Sequence, residues 1–387
     1  MNAMESARSA GAPSAALARY KSALVALADQ HRLRTLQPRS GLDFGSNDYL
    51  GLAASPRLRA VLTAAMSCGT AIGAGGSRLL RGNAPEHEEL EAAAATFFHA
   101  ERTLFFGSGY TANSAIFATL PQREDLVLLD ELVHASAREG MRLSNATSVE
   151  TKHNDVASVE ETIRAWRAGG GVGQIWIAAE SLYSMDGDRA PLSDLITLAD
   201  RHDAILVIDE AHATGVYGPD GRGLAANIEG RDNVIVLHTC GKALGGAGAL
   251  LTLPRVLSEF LVNRCRAFIF STAPSPLMAV AALEALAILK DEPQRREALA
   301  ALVAFAGHQA HAHGIPLSGS QILPVIIGDD AGVMQIASSL QQRGFDVRGV
   351  RPPTVPKGTA RLRISITLNV TEAAISGLFD ALAELRE

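Results

Sequence analysis

Near the middle of the chain, the stretch "HTCGKALGGAGALL" (residues 238 to 251) sets one ammonium, Lys242, among small and apolar residues and glycines. A buried lysine charge costs several kcal/mol unless its pKa falls or its nitrogen is otherwise engaged. A second group lies upstream in "VIDEAHATG" (207 to 215), where Asp209 and His212 follow a hydrophobic run. An amine that can form a Schiff base and a carboxylate that can keep a ring nitrogen protonated are what a pyridoxal phosphate site needs. On this reading the Lys242 charge disappears because its nitrogen is bonded to an aldehyde.

These groups need elements to bring them together. Between about residues 100 and 275 the runs "TLFF", "DLVLLD", "QIWIAA", "AILVID", "NVIVLH", "GALLTL" and "AFIF" alternate with helical patterns, which predicts βαβ units on a mostly parallel, doubly covered sheet. Ligands of such sheets sit at the carboxyl ends of the strands. The polar residues following the runs are Ser108, His134, Glu180, Ser184, Asp209, His212, Thr239 and Lys242, so one sheet edge collects them.

"GSGYTANSA" (107 to 115) reads as a glycine turn opening a helix, where free N–H groups and the helix dipole favour a phosphate. It also matches a dinucleotide fingerprint, with Asp130 about 20 residues on, so a nicotinamide dehydrogenase is the rival reading. That rival has no need of a lysine in a glycine bed or of "DEAH". A P-loop is excluded because Gly241-Lys242-Ala243 lacks the following Ser or Thr. His308, His311 and His313 of "GHQAHAHG" lack a nearby carboxylate and read as a solvated helix end, so no metal is expected.

The 387 residues, 47% hydrophobic, can bury a large core, and a formal charge of −6 gives no basic field for nucleic acid or anionic membrane. The near-apolar run 277 to 289 is too short for a membrane span and carries Glu284. Cys68, Cys240 and Cys265 have no CxxC spacing, which fits a reducing compartment. The N-terminal arm lacks the apolar core of a secretory signal, and a cytoplasmic location is expected. The chain divides into an arm and first helix over 1–45, a large cofactor-binding domain over 46–290, and a small α+β domain over 291–387 built from "ILPVIIG", the helix "VMQIASSLQQRG", the runs "FDVRGV" and "RLRISIT", and a closing helix.

Several motifs in order, "GSNDYLGLA" (45 to 53), "GAGGSRLLRGN" (73 to 83), "HAS" (134 to 136), "SMDGDRAPL" (184 to 192), "DEAHATGVYG" (209 to 218), "GKALGGAG" (241 to 248) and "FST" (270 to 272), make the chain resemble the α-oxoamine synthases, a family of fold-type I pyridoxal phosphate enzymes. The resemblance covers nearly everything from residue 30. It implies an α/β fold-type I transferase with a mostly parallel seven-stranded sheet, a smaller α+β domain, and a homodimer with active sites at the subunit interface. It further implies that Lys242 carries the cofactor, Asp209 pairs with the pyridinium and His134 stacks on the ring. His212 and Ser184 would bond its phenolic oxygen, and Gly109, Tyr110 and Thr239 would hold the phosphate with Thr272 of a second subunit. Arg363, with Arg351 second, would bind the amino-acid carboxylate. Arg34 and Thr354 would line the acyl site, and Asn47 would face the active site. The segment "RPPTVPKGTARLRISIT" (351 to 367) is most similar to members that condense L-alanine with a pimeloyl thioester of coenzyme A or a carrier protein, losing carbon dioxide. A glycine-using sister enzyme stays open as an alternative, and a catalytically silent scaffold is disfavoured by Lys242, Asp209 and His134 occurring together.

Overall fold

In the computed structural model, which describes residues 15–386, the apolar runs become strands because both faces of each are covered. Along β2 (Leu126–Asp130), Leu126 and Leu128 join one cluster with Ile175, Ile177 and Leu206, while Val127 and Leu129 join another with Trp176, Val207 and Ile235. Alternate side chains point to opposite faces, so burial on both gives an uninterrupted apolar run.

Among the described residues the large sheet has seven strands: β1 (Arg102–Phe106), β2, β3 (Thr147–Thr151), β4 (Ile175–Glu180), β5 (Ala204–Asp209), β6 (Val234–Thr239) and β7 (Ala249–Leu253), in the order β1-β7-β6-β5-β4-β2-β3. Pairs among β6, β5, β4, β2 and β3 are parallel, and β7 runs antiparallel to β6 and β1. The expected mostly parallel sheet is therefore present, with two differences in its membership. "AFIF" is not a strand: Arg266–Ile269 forms one helical turn, and Phe268 packs edge-on against Phe106. The seventh strand is instead "TSVET" at the sheet edge, mostly exposed along its length. An edge strand lacks the apolar run of a covered one, which is why periodicity missed it.

The chain separates into two compact units. The larger comprises Ser46–Leu323 and Ser365–Ser376; the smaller draws on the described residues up to Gly45, Pro324–Ile364 and the C-terminal residues from Gly377. Helix Gln294–Ala312, assigned above to the small domain, belongs with the larger unit. The expected tail runs form a three-stranded sheet, order β9 (Arg348–Val350), β10 (Ala360–Ser365), β8 (Ile322–Gly328), most of it in the smaller unit, and helices Asp330–Gln342 and Glu372–Glu384 follow the expected pattern. Among the described residues no helix is long and apolar enough to cross a membrane.

Candidate active site

The site lies in the larger unit, at the carboxyl ends of the strands. After β6 the chain turns through Cys240–Gly248 into antiparallel β7, with Gly246 N–H donating to Cys240 O at 2.8 Å and Cys240 N–H to Gly248 O at 2.9 Å. Gly245 has φ +66°, and a Cβ there would fall 2.4 Å from the Leu52 carbonyl carbon. Only glycine accepts that backbone and that approach. The glycine bed thus lets the Lys242 loop lie on the "GLA" of the 45–53 motif, whose turn is held by Asp48 Oδ1 accepting from Leu52 N–H at 2.8 Å. Gly215 likewise admits Ala243, since a Cβ on it would sit 2.9 Å from the Ala243 methyl. The two loops are pressed together, and half-buried Lys242 places Nζ 2.7 Å from Nε2 of buried His212.

β4 and β5 pair in register so that Glu180 lies opposite Asp209. The Asp209 carboxylate accepts from Asn113 Nδ2 at 2.7 Å and from Ala211 N–H at 2.9 Å. Glu180 accepts Ser184 N–H at 3.1 Å through Oε2, while Oε1 is buried without a partner. Burial first, and the neighbouring Asp209 second, push Glu180 up to about 8, so it is protonated at neutral pH. His134, Asn113, Phe117, Val133, Glu180 and Asp209 line one cleft. The His134 ring accepts at Nδ1 from Ser136 N–H at 3.3 Å, with Ser136 Oγ 2.8 Å away. Part of it is open to solvent, yet the atoms packed beneath push its pKa down, the Asp209 charge opposing and the Lys242 charge adding.

The 107–111 glycine turn opens a helix, as its sequence predicts. Ser108 caps helix Gly109–Thr119 by accepting Thr111 N–H at 3.1 Å. Gly109 and Tyr110 occupy the first turn, whose N–H groups lack intrahelical acceptors. Thr239 Oγ1 is 3.4 Å from where a Gly109 Cβ would stand, and nothing lies within 4 Å of one on Gly107. A dianion has here a helix terminus, a hydroxyl and open space. Thr272 lies with Gly107, Thr111 and Arg78 around a neighbouring cavity.

Sequence reasoning missed three groups. Asn113, 3% exposed on an otherwise apolar helix face, orients Asp209. Tyr49, 0% exposed, sets its hydroxyl 2.6 Å from His212 Nδ1 and donates to Asn47 Oδ1 at 3.0 Å. The third is a clamp: His153 Nδ1 lies 2.9 Å from Asp130 Oδ1 and Nε2 2.7 Å from Asp188 Oδ2, with Asn154 donating to both carboxylates at 2.7 Å. It ties the ends of β2 and β3 to the "SMDGD" loop. Burial opposes but the two carboxylates prevail, raising His153 to about 10. The Asp130 carboxylate, taken up by His153 and the amides of Leu132 and Asn154, is not free for a ribose as the dehydrogenase reading needs. Glu210 of "DEAH" is structural, accepting Leu224 and Ala225 N–H.

In the smaller unit, exposed Arg34 donates to Thr354 Oγ1 at 3.3 Å. Buried Arg351 donates to Met334 Sδ and to Leu33 O, and its burial and the Arg34 charge lower its pKa. Arg363 is 8% exposed on β10.

Residues 39–382 match the family described as aminotransferase class I and II. The 8-amino-7-oxononanoate synthase of Anaeromyxobacter dehalogenans (strain 2CP-1 / ATCC BAA-258) is 44% identical over 349 residues, covering 89% of this chain and 86% of that protein. Among solved structures, a serine palmitoyltransferase from S. paucimobilis with bound PLP–myriocin superposes with TM-score 0.85 at 26% identity, covering 97% and 98% of the two chains. The 8-amino-7-oxononanoate synthase of Francisella tularensis superposes with TM-score 0.76 at 27% identity, covering 89% and 97%.

Proposed function

The chain belongs to the aminotransferase class I and II family, and from that premise we propose that its sheet edge holds pyridoxal 5'-phosphate and joins L-alanine to a pimeloyl thioester. Its function is that of the 8-amino-7-oxononanoate synthases of biotin biosynthesis, acyltransferases that need this cofactor. The observation that carries the reading is the convergence at one edge of an amine on His212, a carboxylate fixed by Asn113, and a helix N-terminus beside a hydroxyl. The donor set fits the cofactor part by part.

Gly109, Tyr110 and Thr239, with Thr272 of a second subunit, would seat the phosphate. Asp209 would pair with the ring nitrogen, His134 would lie on the ring face, and Ser184 and His212 would reach the phenolic oxygen. Lys242 would hold the aldehyde. When bound, the cofactor supplies an electron sink for a carbanion beside the amino group. Lys242 Nζ is the base that takes and returns the proton at the amino acid's α-carbon, a role suited to an amine held at close range. Asp209 would act through the ring nitrogen, keeping it protonated so that the cofactor can draw electrons from that carbon. The family resemblance would give Arg363 the amino-acid carboxylate, with Arg351 second, would put Arg34 and Thr354 at the acyl group, and would have Asn47 face the reacting groups.

The assembly is a homodimer. Ile72, Leu80 and Phe270 are 74%, 85% and 74% exposed on segments tied by Ala273 N–H donating to Gly76 O and Ser275 Oγ to Ile72 O, and such a patch favours a second copy. A cytoplasmic location accords with free cysteines at 68, 240 and 265.

The test mixes purified protein with the cofactor, L-alanine or glycine, and a panel of acyl thioesters, and identifies the product by mass. Alanine and a pimeloyl thioester should give 8-amino-7-oxononanoate; a glycine-derived product would move the reading to a sister enzyme. Borohydride reduction and peptide mapping should leave the pyridoxyl mark on the Lys242 peptide, and a mark elsewhere refutes the site.

A further inference from the structure

A phenol has one proton, and Tyr49 commits its own. Its O–H donates to Asn47 Oδ1 at 3.0 Å, so toward His212 Nδ1, 2.6 Å away, the Tyr49 oxygen acts as acceptor. The His212 tautomer that supplies this oxygen with a donor carries its proton on Nδ1. Its Nε2 presents a lone pair, and that atom lies 2.7 Å from Lys242 Nζ. With that tautomer the donors run one way, from Lys242 through His212 and Tyr49 to Asn47. The geometry is enforced by packing: Tyr49 is 0% and His212 5% exposed, and Tyr49 O also accepts from Leu368 N–H at 3.0 Å.

We propose that Tyr49 is a positioning residue that fixes the His212 tautomer, so that in the cofactor-free protein Nε2 faces Lys242 as an acceptor. The consequence is a proton transfer in which Lys242 ammonium loses one proton to His212 Nε2. The ammonium becomes the neutral amine, the imidazole becomes imidazolium with Nδ1–H still on Tyr49, and charge is conserved. An imidazole already protonated on Nε2 cannot accept that proton. Tyr49 touches no reacting atom and acts only through His212. The tautomer statement stands on this network alone, and only its effect on cofactor uptake rests on the function proposed above.

The test uses cofactor-free protein labelled with ¹⁵N-histidine at mildly alkaline pH, with His212 signals assigned by their loss in His212→Gln. The wild type should show Nδ1 protonated and Nε2 unprotonated. Tyr49→Phe should shift His212 toward the Nε2-protonated form and slow pyridoxal phosphate uptake, followed by absorbance, about fivefold to tenfold, the worth of one hydrogen bond. Asn47→Asp keeps an acceptor for the Tyr49 hydroxyl and should keep the wild-type tautomer. An unchanged tautomer in Tyr49→Phe, or a change in Asn47→Asp as large as in Tyr49→Phe, overturns the proposal. If Tyr49→Phe does not fold, Asn47→Leu, which keeps the phenol but removes its acceptor, should show the same tautomer loss, and a wild-type pattern there overturns it equally. A wild-type protein with the expected tautomer that takes up no cofactor at Lys242 would sink the functional reading and leave Tyr49's role standing.

Discussion

His134 and His153 follow the ends of neighbouring strands β2 and β3, yet their surroundings drive them in opposite directions. His134 lines the candidate cleft with Asp209, and the atoms beneath it hold its pKa below the ordinary value, so the ring is neutral at pH 7. A neutral, flat ring suits the stacking on the cofactor proposed for it above. His153 sits between Asp130 and Asp188 and is held charged up to about pH 10. The first cluster lines a cleft; in the second, one imidazolium is shared by two carboxylates. A perturbed pKa therefore marks both a reactive edge and the brace behind it, and only partner geometry separates them.

The sharpest break between the clusters should come from Asp209→Asn. It keeps the shape and the contact region of Asn113 but removes the charge under the ring. Turnover should fall about 10²- to 10³-fold, the usual scale for one preorganised electrostatic group, with little change in the denaturation midpoint. A loss below fivefold would remove Asp209 from the chemistry.

His153→Gln should do the reverse. Two carboxylates would lose their shared cation, and because Asp188 is 36% exposed on its side chain the loss is discounted to about 2 kcal/mol of stability. The pH dependence has a definite sign. A folded-state pKa of about 10, raised from an ordinary 6.5, gives stability that is complete below 6.5 and is lost as pH climbs through 10. Glu180, raised to about 8, and Glu210, raised to about 7, also weaken the fold as pH rises, so the diagnostic quantity is the difference between wild type and variant. That difference should shrink between pH 6.5 and 10, read by urea denaturation. A constant difference would mean that His153 is not charged in the clamp.

The smallest effect should come from Asn113→Ala, which leaves Asp209 charged but with one donor fewer. A loss of about 1 kcal/mol, or roughly fivefold in turnover, is expected. An effect equal to that of Asp209→Asn would make Asn113 part of the chemistry rather than the group that orients it.

The apolar runs and the residues that end them are local properties, so the covered strands and the candidates Asp209, His134, His212, Thr239 and Lys242 were readable in order along the chain. "TSVET" was not, because an edge strand needs no apolar run, and "AFIF" misled, because its apolar content serves Phe268 packing on Phe106 in a helical turn. The glycines around Lys242 announced a tight backbone but not its partner, the Leu52–Ala53 segment nearly two hundred residues upstream.

What composition and order determined is thus the sheet, the edge at which chemistry collects, and the residue types present there. What tertiary structure alone decided is which nitrogen of His212 faces Lys242, which amide steadies Asp209, and why Asp130 braces a loop instead of binding a ligand. Hydrophobic periodicity is written into neighbouring residues, whereas a hydrogen bond between groups a hundred residues apart exists only once the backbone has brought them within 3 Å.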